Sequence, residues 1–213
     1  MRDTGARLLV AIASVAGGTQ LGLSLASRPD SPRFYGLTAG VATTWLVAGT
    51  AARPAHDTPD GRSVAGPIAL GVAAFAAFYT AAPVARRIPV LGRAVAGALG
   101  YAHHGRTPLV LATTLLNGVA EEVFFRGAVY DLAGDHAVAT STAVYVSVTA
   151  ATRNPALVLA SLVMGTLFAW QRRTSGDVWA PILTHLTWSI LMLTVLPGRF
   201  AGTARDGSMV PRP

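Results

Sequence analysis

Long apolar stretches alternate with short polar connectors along the whole chain. Seven stretches have the length and composition of membrane-spanning helices: 8–26, 35–52, 64–85, 107–132, 137–152, 156–171 and 178–198. An eighth stretch, 88–101, is shorter than the roughly 20 residues that a helical span needs, and it carries Arg93. The pattern therefore predicts an all-α, multi-pass transmembrane helical bundle of about seven spans, with 88–101 as one interfacial helix.

The composition agrees with a membrane protein. Of the 213 residues, 52% are hydrophobic and only 13% are charged, whereas a soluble domain carries about 25% charged residues. The spans leave no room for a separate soluble domain, so residues 1–213 are expected to form a single membrane domain in contact with lipid. The polar segment 199–213 is rich in Gly, Pro and Arg and is expected to be a disordered tail. The expected location is the plasma membrane of the cell.

The charge pattern narrows the possible partners. The net charge is +7, and all 17 basic residues are arginines. Outside the fourth span they lie mainly in connectors, where each can contribute about 1 kcal/mol of attraction to anionic headgroups. No basic face interleaved with aromatic residues is visible, so nucleic acid is not expected as a partner. The absence of cysteine excludes disulfides, thiol catalysis and thiolate metal sites.

Two adjacent glutamates interrupt the fourth apolar stretch. Each carboxylate at membrane depth costs about 2.5–3.5 kcal/mol on insertion scales, so a partner, a water-filled cavity or a chemical role is expected. On an α-helix Glu122 and Arg126 share a face and can form an ion pair. Glu121 lies on the neighbouring face with Asn117, free to titrate, bind a cation or activate water. A buried packing network would explain Glu122 and Arg126 but not Glu121.

A histidine in the last apolar stretch is the second candidate for chemistry. His185 follows Trp179-Ala-Pro-Ile-Leu-Thr, and Ser189 lies one helical turn later on the same face. A neutral imidazole can act as a metal ligand or a general base at physiological pH. A hydrogen-bonded core residue is the alternative interpretation of a lone histidine in an apolar helix.

Together these motifs resemble the CPBP intramembrane proteases, the group that includes the CAAX proteases and is also called the Abi family. The resemblance covers residues 107–193, the protease-like core, and rests on three motifs of that family. The Glu-Glu-x-x-x-Arg motif is intact. In the second motif, Phe-x-x-x-His, the histidine position falls on Thr152, and in the third, His-x-x-x-Asn, the asparagine position falls on Ser189.

The resemblance implies an intramembrane endopeptidase that hydrolyses a peptide bond in a membrane-delivered peptide or protein. Glu121 would be the general base or a metal ligand, and Glu122 with Arg126 would orient it or bind the substrate terminus. His185, with Ser189, would stabilise the oxyanion or hold a metal.

The resemblance further implies that Asn117 and Thr152 bind substrate or position the water. Zinc would have Glu121 and His185 as ligands, although a metal-free reaction is also compatible with these residues. A catalytically inactive relative, acting as a membrane scaffold or binding protein, is the alternative function. An ion-coupled carrier using Glu121 is less favoured, because the sequence shows neither paired halves nor broken helices.

Overall fold

The computed structural model describes residues 2–52 and 63–200. Within these ranges every regular element is helical and no strand is present. Apart from its first two residues, the predicted tail 199–213 lies outside the described residues. The α-helices are α1 (Arg2–Leu25), α2 (Pro32–Ala52), α3 (Ala65–Arg87), α4 (Pro89–His104), α5 (Thr107–Glu121), α6 (Tyr130–Leu132), α7 (Ala137–Thr149), α8 (Pro155–Ser175), α9 (Trp179–Thr194) and α10 (Leu196–Phe200).

Local sequence signals set the ends of these helices. Proline occupies the first turn of α4, α5 and α8. It is tolerated there because N–H groups in the first turn have no hydrogen-bond partner within the helix. The Asn154 side chain caps α8 by accepting the N–H groups of Ala156 and Leu157 at 3.0 and 3.1 Å. Gly176, with φ of 77°, ends the same helix in the left-handed conformation that favours glycine.

The eight helical segments predicted from the sequence are all present, including the short one at α4. Within residues 2–52 and 63–200, four segments are long and apolar enough to cross a membrane: Thr4–Leu25, Ala65–Arg87, Thr107–Leu132 and Trp179–Gly198. The all-α membrane bundle is thus confirmed. That α2, α7 and α8 also span the membrane remains a prediction. The 13 residues of α7 extend about 20 Å, less than the roughly 30 Å of a hydrocarbon core.

An aromatic core between α2 and the helix that carries the glutamates fixes the position of that helix. Trp45 of α2 is fully buried. Its ring stacks on Phe124, with centroids 6.3 Å apart, and meets the edge of Phe125 at 5.2 Å. Helix α1 packs along α2, and α9 packs against both α3 and α5. The glutamate segment therefore lies inside the bundle, with α9 beside it.

The predicted α-helix over 107–132 changes its winding in the middle. Residues Glu122–Val129 form a π-helix, and at its end the Tyr130 N–H reaches the carbonyl of Phe125, five residues earlier. Such segments are rare and occur frequently at functional sites. The sequence pattern did not predict this change, because apolar spacing cannot separate one wider turn from regular α-helix. The glutamate pair lies at the junction, with Glu121 ending α5 and Glu122 opening the π-helix.

Candidate active site

Glu122 is the centre of a buried charged cluster. Its side chain is 0% exposed. One carboxylate oxygen, Oε2, lies 3.4 Å from Arg126 Nε, so the ion pair predicted from the spacing is present. The other, Oε1, lies 2.8 Å from His185 Nδ1 on α9. Glu122 thus links two helices, and the histidine pairs with this glutamate at hydrogen-bond distance.

Arg126 is held from several sides. Its guanidinium donates from Nη2 to the main-chain oxygen of Gly165 at 3.0 Å. It also lies over the rings of Tyr145 and Phe168, 4.6 and 5.3 Å from their centroids. A desolvated cation–π contact of this kind contributes about 2 kcal/mol. Packing at Gly165 is tight, because a Cβ there would lie 3.2 Å from Nη2 and 3.1 Å from a ring atom of Tyr145, so these side chains would have to move by a few tenths of an ångström.

Glu121 is the carboxylate that can be reached. Its side chain keeps 14% exposure, whereas Glu122 has none. The Tyr145 hydroxyl of α7 donates to Glu121 Oε2 at 2.6 Å. The same oxygen lies 4.0 Å from His185 Nε2, too far for a direct hydrogen bond. A water that hydrogen-bonds to both atoms at about 2.8 Å would lie to one side of the line that joins them, with an angle of about 90° at its oxygen.

Tyr145 is a site residue that the sequence reasoning missed. It lies in the middle of the uncharged stretch 137–152, where a tyrosine among Val, Thr and Ala gives no sign of its partner. Its hydroxyl contacts one charged member of the cluster and its ring contacts another. Because one side chain touches both Glu121 and Arg126, it holds the two relative to each other.

The orientation of His185 is set by packing on both sides of its ring. The imidazole stacks on Phe168, with centroids 4.7 Å apart and planes inclined by 19°. The opposite helix approaches through Gly118, where a Cβ would lie 3.6 Å from His185 Cδ2. Since an ionised carboxylate only accepts hydrogen bonds, His185 Nδ1 is the donor to Glu122. Nε2 is then directed toward Glu121.

Two other predicted site residues lie on the same helices as the cluster. The amide of Asn117 donates to the main-chain oxygens of Thr38 and Thr113 at 3.1 and 2.8 Å. Its Oδ1 is buried without a hydrogen-bond partner among the described residues. Ser189 follows His185 by one turn of α9 and is 5% exposed. Their predicted roles, in substrate binding and oxyanion stabilisation, stay predictions.

Thr152 is the predicted site residue that the structure does not bring to the others. Its hydroxyl donates to the Thr149 carbonyl at 2.7 Å and accepts the N–H of Asn154 at 3.2 Å, so it shapes the turn after α7. From this helix it is Tyr145 that meets Glu121. Seven residues separate the two positions, about 10 Å along a helix axis, and the short threonine side chain cannot span that distance.

The donors present do not fit a catalytic zinc ion. Glu121 Oε2 and His185 Nε2 face each other and would supply two ligands. Glu122 Oε1 is bonded to His185 Nδ1, and Oε2 is paired with Arg126 Nε at 3.4 Å by charge, without a hydrogen bond. Among the described residues no group of three or more His, Cys, Asp or Glu side chains is arranged to hold a metal. Catalytic zinc sites use three protein ligands, one more than this arrangement offers.

Comparison with known families places the site within a recognised domain. Residues 103–191 match the family model described as Type II CAAX prenyl endopeptidase Rce1-like. This segment is an Rce1-like domain. The resemblance predicted from the motifs is therefore confirmed. The Rce1-like domain contains both glutamates, Arg126, Tyr145 and His185. No curated protein and no solved structure gives a significant match.

The Rce1-like domain and the apolar helices together support a coarse assignment. The family is one of proteases, and four helices in the described part of the chain are long and apolar enough to cross a membrane. The chain is thus an integral membrane protein, and its segment 103–191 is similar to the Rce1-like CAAX proteases. The matched segment begins at the end of α4 and ends within α9, so helices α1–α3 lie outside it.

Proposed function

We propose that the chain is an intramembrane endopeptidase in which Glu121 is the general base. The observation that carries this proposal is the gap between Glu121 Oε2 and His185 Nε2. These atoms are 4.0 Å apart, with Glu121 partly exposed and Glu122 sealed behind them. A water in that gap would be within hydrogen-bond reach of both, which is the first requirement for a general base.

In the proposed reaction the water attacks the carbonyl carbon of the scissile peptide bond while Glu121 takes its proton. The tetrahedral intermediate carries its negative charge on the former carbonyl oxygen. Glu121 then returns the proton to the nitrogen of the leaving amine as the carbon–nitrogen bond breaks. Two peptide fragments result, and the carboxylate is regenerated.

His185 is the proposed stabiliser of the oxyanion. In the proposed reaction His185 carries a proton on both ring nitrogens. Its Nδ1–H is held by Glu122 at 2.8 Å, so Nε2–H is oriented before the reaction begins. A preorganised donor of this kind is worth about 10²–10³ in rate. Ser189, one turn away, is proposed as a second donor.

Tyr145 is proposed to hold the base in place. Its hydroxyl donates to Glu121 at 2.6 Å, at the short end of the range for O–H···O hydrogen bonds. The proposed reaction is written without a metal, because the described His, Asp and Glu side chains at the site offer two ligands where catalytic zinc uses three. The plasma membrane remains the predicted location.

An apolar cavity beside the site supports a lipid-modified substrate, as the word prenyl in the family description suggests. The cavity has a volume of about 370 Å³ and lies between α3, α4, α8 and α9. Trp188 lines it and lies 6.1 Å, between ring centroids, from His185. A hydrocarbon chain attached near the scissile bond could occupy the cavity while the peptide reaches Glu121.

The test uses the full chain in lipid vesicles. The substrate is a peptide whose last four residues are an S-farnesyl cysteine, two aliphatic residues and one residue of any type. We expect cleavage by the wild type, and a loss of at least about 10³-fold in kcat for Glu121→Gln. Ala160→Phe, which fills the cavity, should raise KM for this peptide but not for its unmodified counterpart. Equal effects on both peptides would contradict the cavity assignment.

The inactive scaffold is the second candidate function. It is favoured by one observation: a tyrosine meets Glu121 from α7, and the second-motif position falls on Thr152 in a turn. The same assay separates the two candidates. If the wild type cleaves neither peptide, with or without added zinc, the enzyme proposal fails and the scaffold is favoured.

A further inference from the structure

Side chains from two other helices bind the main chain of the π-helix. The Ser141 hydroxyl of α7 donates to the carbonyl of Phe125 at 2.8 Å. Nε of Arg172, on α8, donates to the carbonyl of Arg126 at 3.0 Å. Both donors are buried, with exposures of 0% and 5%. They therefore interact with the backbone that carries the charged cluster, not with its carboxylates.

Arg172 is itself fixed by a second ion pair. Its Nη2 lies 2.9 Å from Asp131 Oδ1, just beyond the π-helix, and its guanidinium lies 5.2 Å from the centroid of the Tyr130 ring. The next residue, Arg173, is exposed at the same helix end. A buried arginine requires hydrogen-bond or charge partners, because removing a charge from water without a partner costs free energy. Arg172 has two such partners, the Arg126 carbonyl on the π-helix and the Asp131 carboxylate beside it.

These contacts hold Arg126 at both of its ends. Its guanidinium reaches the carbonyl of Gly165, and its own carbonyl is bound by Arg172. Both partners belong to α8, so this helix sets the distance and rotation of Arg126. Glu122 has to face Arg126 and His185 at once. A change in the winding between residues 122 and 126 would break one of the two contacts.

We propose that Arg172 and Ser141 are positioning residues for the catalytic cluster, acting through the main-chain carbonyls of the π-helix. Asp131 supports Arg172 in this role. They fix the winding that directs Glu122 toward His185. The kinetic consequence rests on the proposed protease function, whereas the structural consequence, the Glu122–His185 contact, does not.

The kinetic test compares Arg172→Gln with Arg173→Gln in the full chain, reconstituted in vesicles and assayed with the farnesylated peptide. A misplacement of about 1 Å can cost about 10²-fold in rate, so we expect kcat of Arg172→Gln to fall by about 10- to 100-fold. KM should change by less than about threefold, because the substrate-facing groups are unchanged. The kcat of Ser141→Ala should fall by a smaller factor than that of Arg172→Gln, because the Phe125 carbonyl still accepts the Tyr130 N–H. Arg173→Gln should resemble the wild type.

The structural test does not depend on activity. The protein is labelled with 15N-histidine in detergent, and the Nδ1–H signal of His185 is assigned by its absence in His185→Gln. We expect this signal to shift or broaden in Arg172→Gln, and to remain in Arg173→Gln, at temperatures well below unfolding. A residue that merely stabilises the fold would leave it unmoved there.

The outcomes separate the two proposals. An unmoved His185 signal together with kcat within twofold of wild type would overturn the positioning role. Equal changes in both arginine variants would overturn it as well. If neither the wild type nor any variant cleaves the peptide, the protease proposal fails. The positioning role still stands in that case if the His185 signal shifts only in Arg172→Gln. If Arg172→Gln cannot be obtained in folded form, the same two measurements are made on Ser141→Ala and compared with the wild type.

Discussion

The two adjacent glutamates should respond differently to the same substitution. Glu122→Gln removes a negative charge that is 0% exposed and leaves the equally buried Arg126 without its counter-charge. Breaking a buried pair in this way costs about 3–5 kcal/mol. For a chain of this length that loss corresponds to a fall of roughly 6–20 °C in Tm. Glu121→Gln keeps an acceptor for Tyr145 on a partly exposed side chain, so its Tm should change by only about 2 °C.

Activity should follow a different order from stability. Glu121→Gln should abolish cleavage by removing the base while the protein stays folded. Glu122→Gln should lower both Tm and kcat, because His185 and Arg126 lose their common partner. In Glu122→Gln/Arg126→Met no unpaired charge remains, so this double variant should recover most of the lost Tm without recovering activity.

Thermal unfolding followed by intrinsic fluorescence in detergent, together with peptide cleavage in vesicles, measures both quantities. Equal Tm values for the two single variants would refute the assignment of Glu122 as the buried ion-pair partner. Cleavage by Glu121→Gln within about tenfold of wild type would refute the assignment of the base. Failure of the double variant to regain stability would show that the loss does not come from an uncompensated Arg126.

Three further predictions concern the surroundings of the glutamates. Tyr145→Phe keeps the ring under Arg126 but removes the hydroxyl, and kcat should fall about 10- to 100-fold with little change in Tm; unchanged kcat would exclude a role for that hydrogen bond. Gly165→Ala places a methyl group 3.2 Å from Arg126 Nη2 and should lower kcat, whereas Gly100→Ala, with nothing within 4 Å, should be neutral or slightly stabilising; similar kcat values for both would contradict the close packing at 165. Dialysis against a strong chelator should leave at least about half of the activity, because the site offers two zinc ligands where catalytic zinc uses three; a complete loss restored by zinc would contradict the metal-free reaction.

The sequence predicted the helices and the charged cluster because both leave local marks. Apolar runs bounded by Arg, Pro and Gly gave each helical segment, and the spacing of Glu122 and Arg126 gave their ion pair. The partner of His185 was not predictable in this way, because Glu122 is 63 residues away and Glu121 was an equally good candidate by spacing.

Tyr145 and the π-helix escaped prediction for a common reason. Both depend on groups supplied by other helices, which a pattern along one helix cannot reveal. The carbonyls of Phe125 and Arg126 are bound by Ser141 and Arg172, 16 and 46 residues further along the chain. Thr152 is a different case: its place in the site was predicted from the family motif alone, and in the structure its hydroxyl bonds within the turn after α7.

The pairing of Glu122 with His185 has a consequence for how the protein is made. Synthesis proceeds from the N-terminus, so the helix with both glutamates enters the membrane before α9 exists. At that stage Arg126, four residues away, is the one counter-charge within its own helix. His185 becomes available once α9 has been inserted, and Phe168 of α8 is by then present to receive its ring. The insertion of α9 is therefore the step that brings His185 to the glutamates, so a nascent chain or a fragment lacking α9 has neither the Glu122–His185 pair nor the proposed reactive gap.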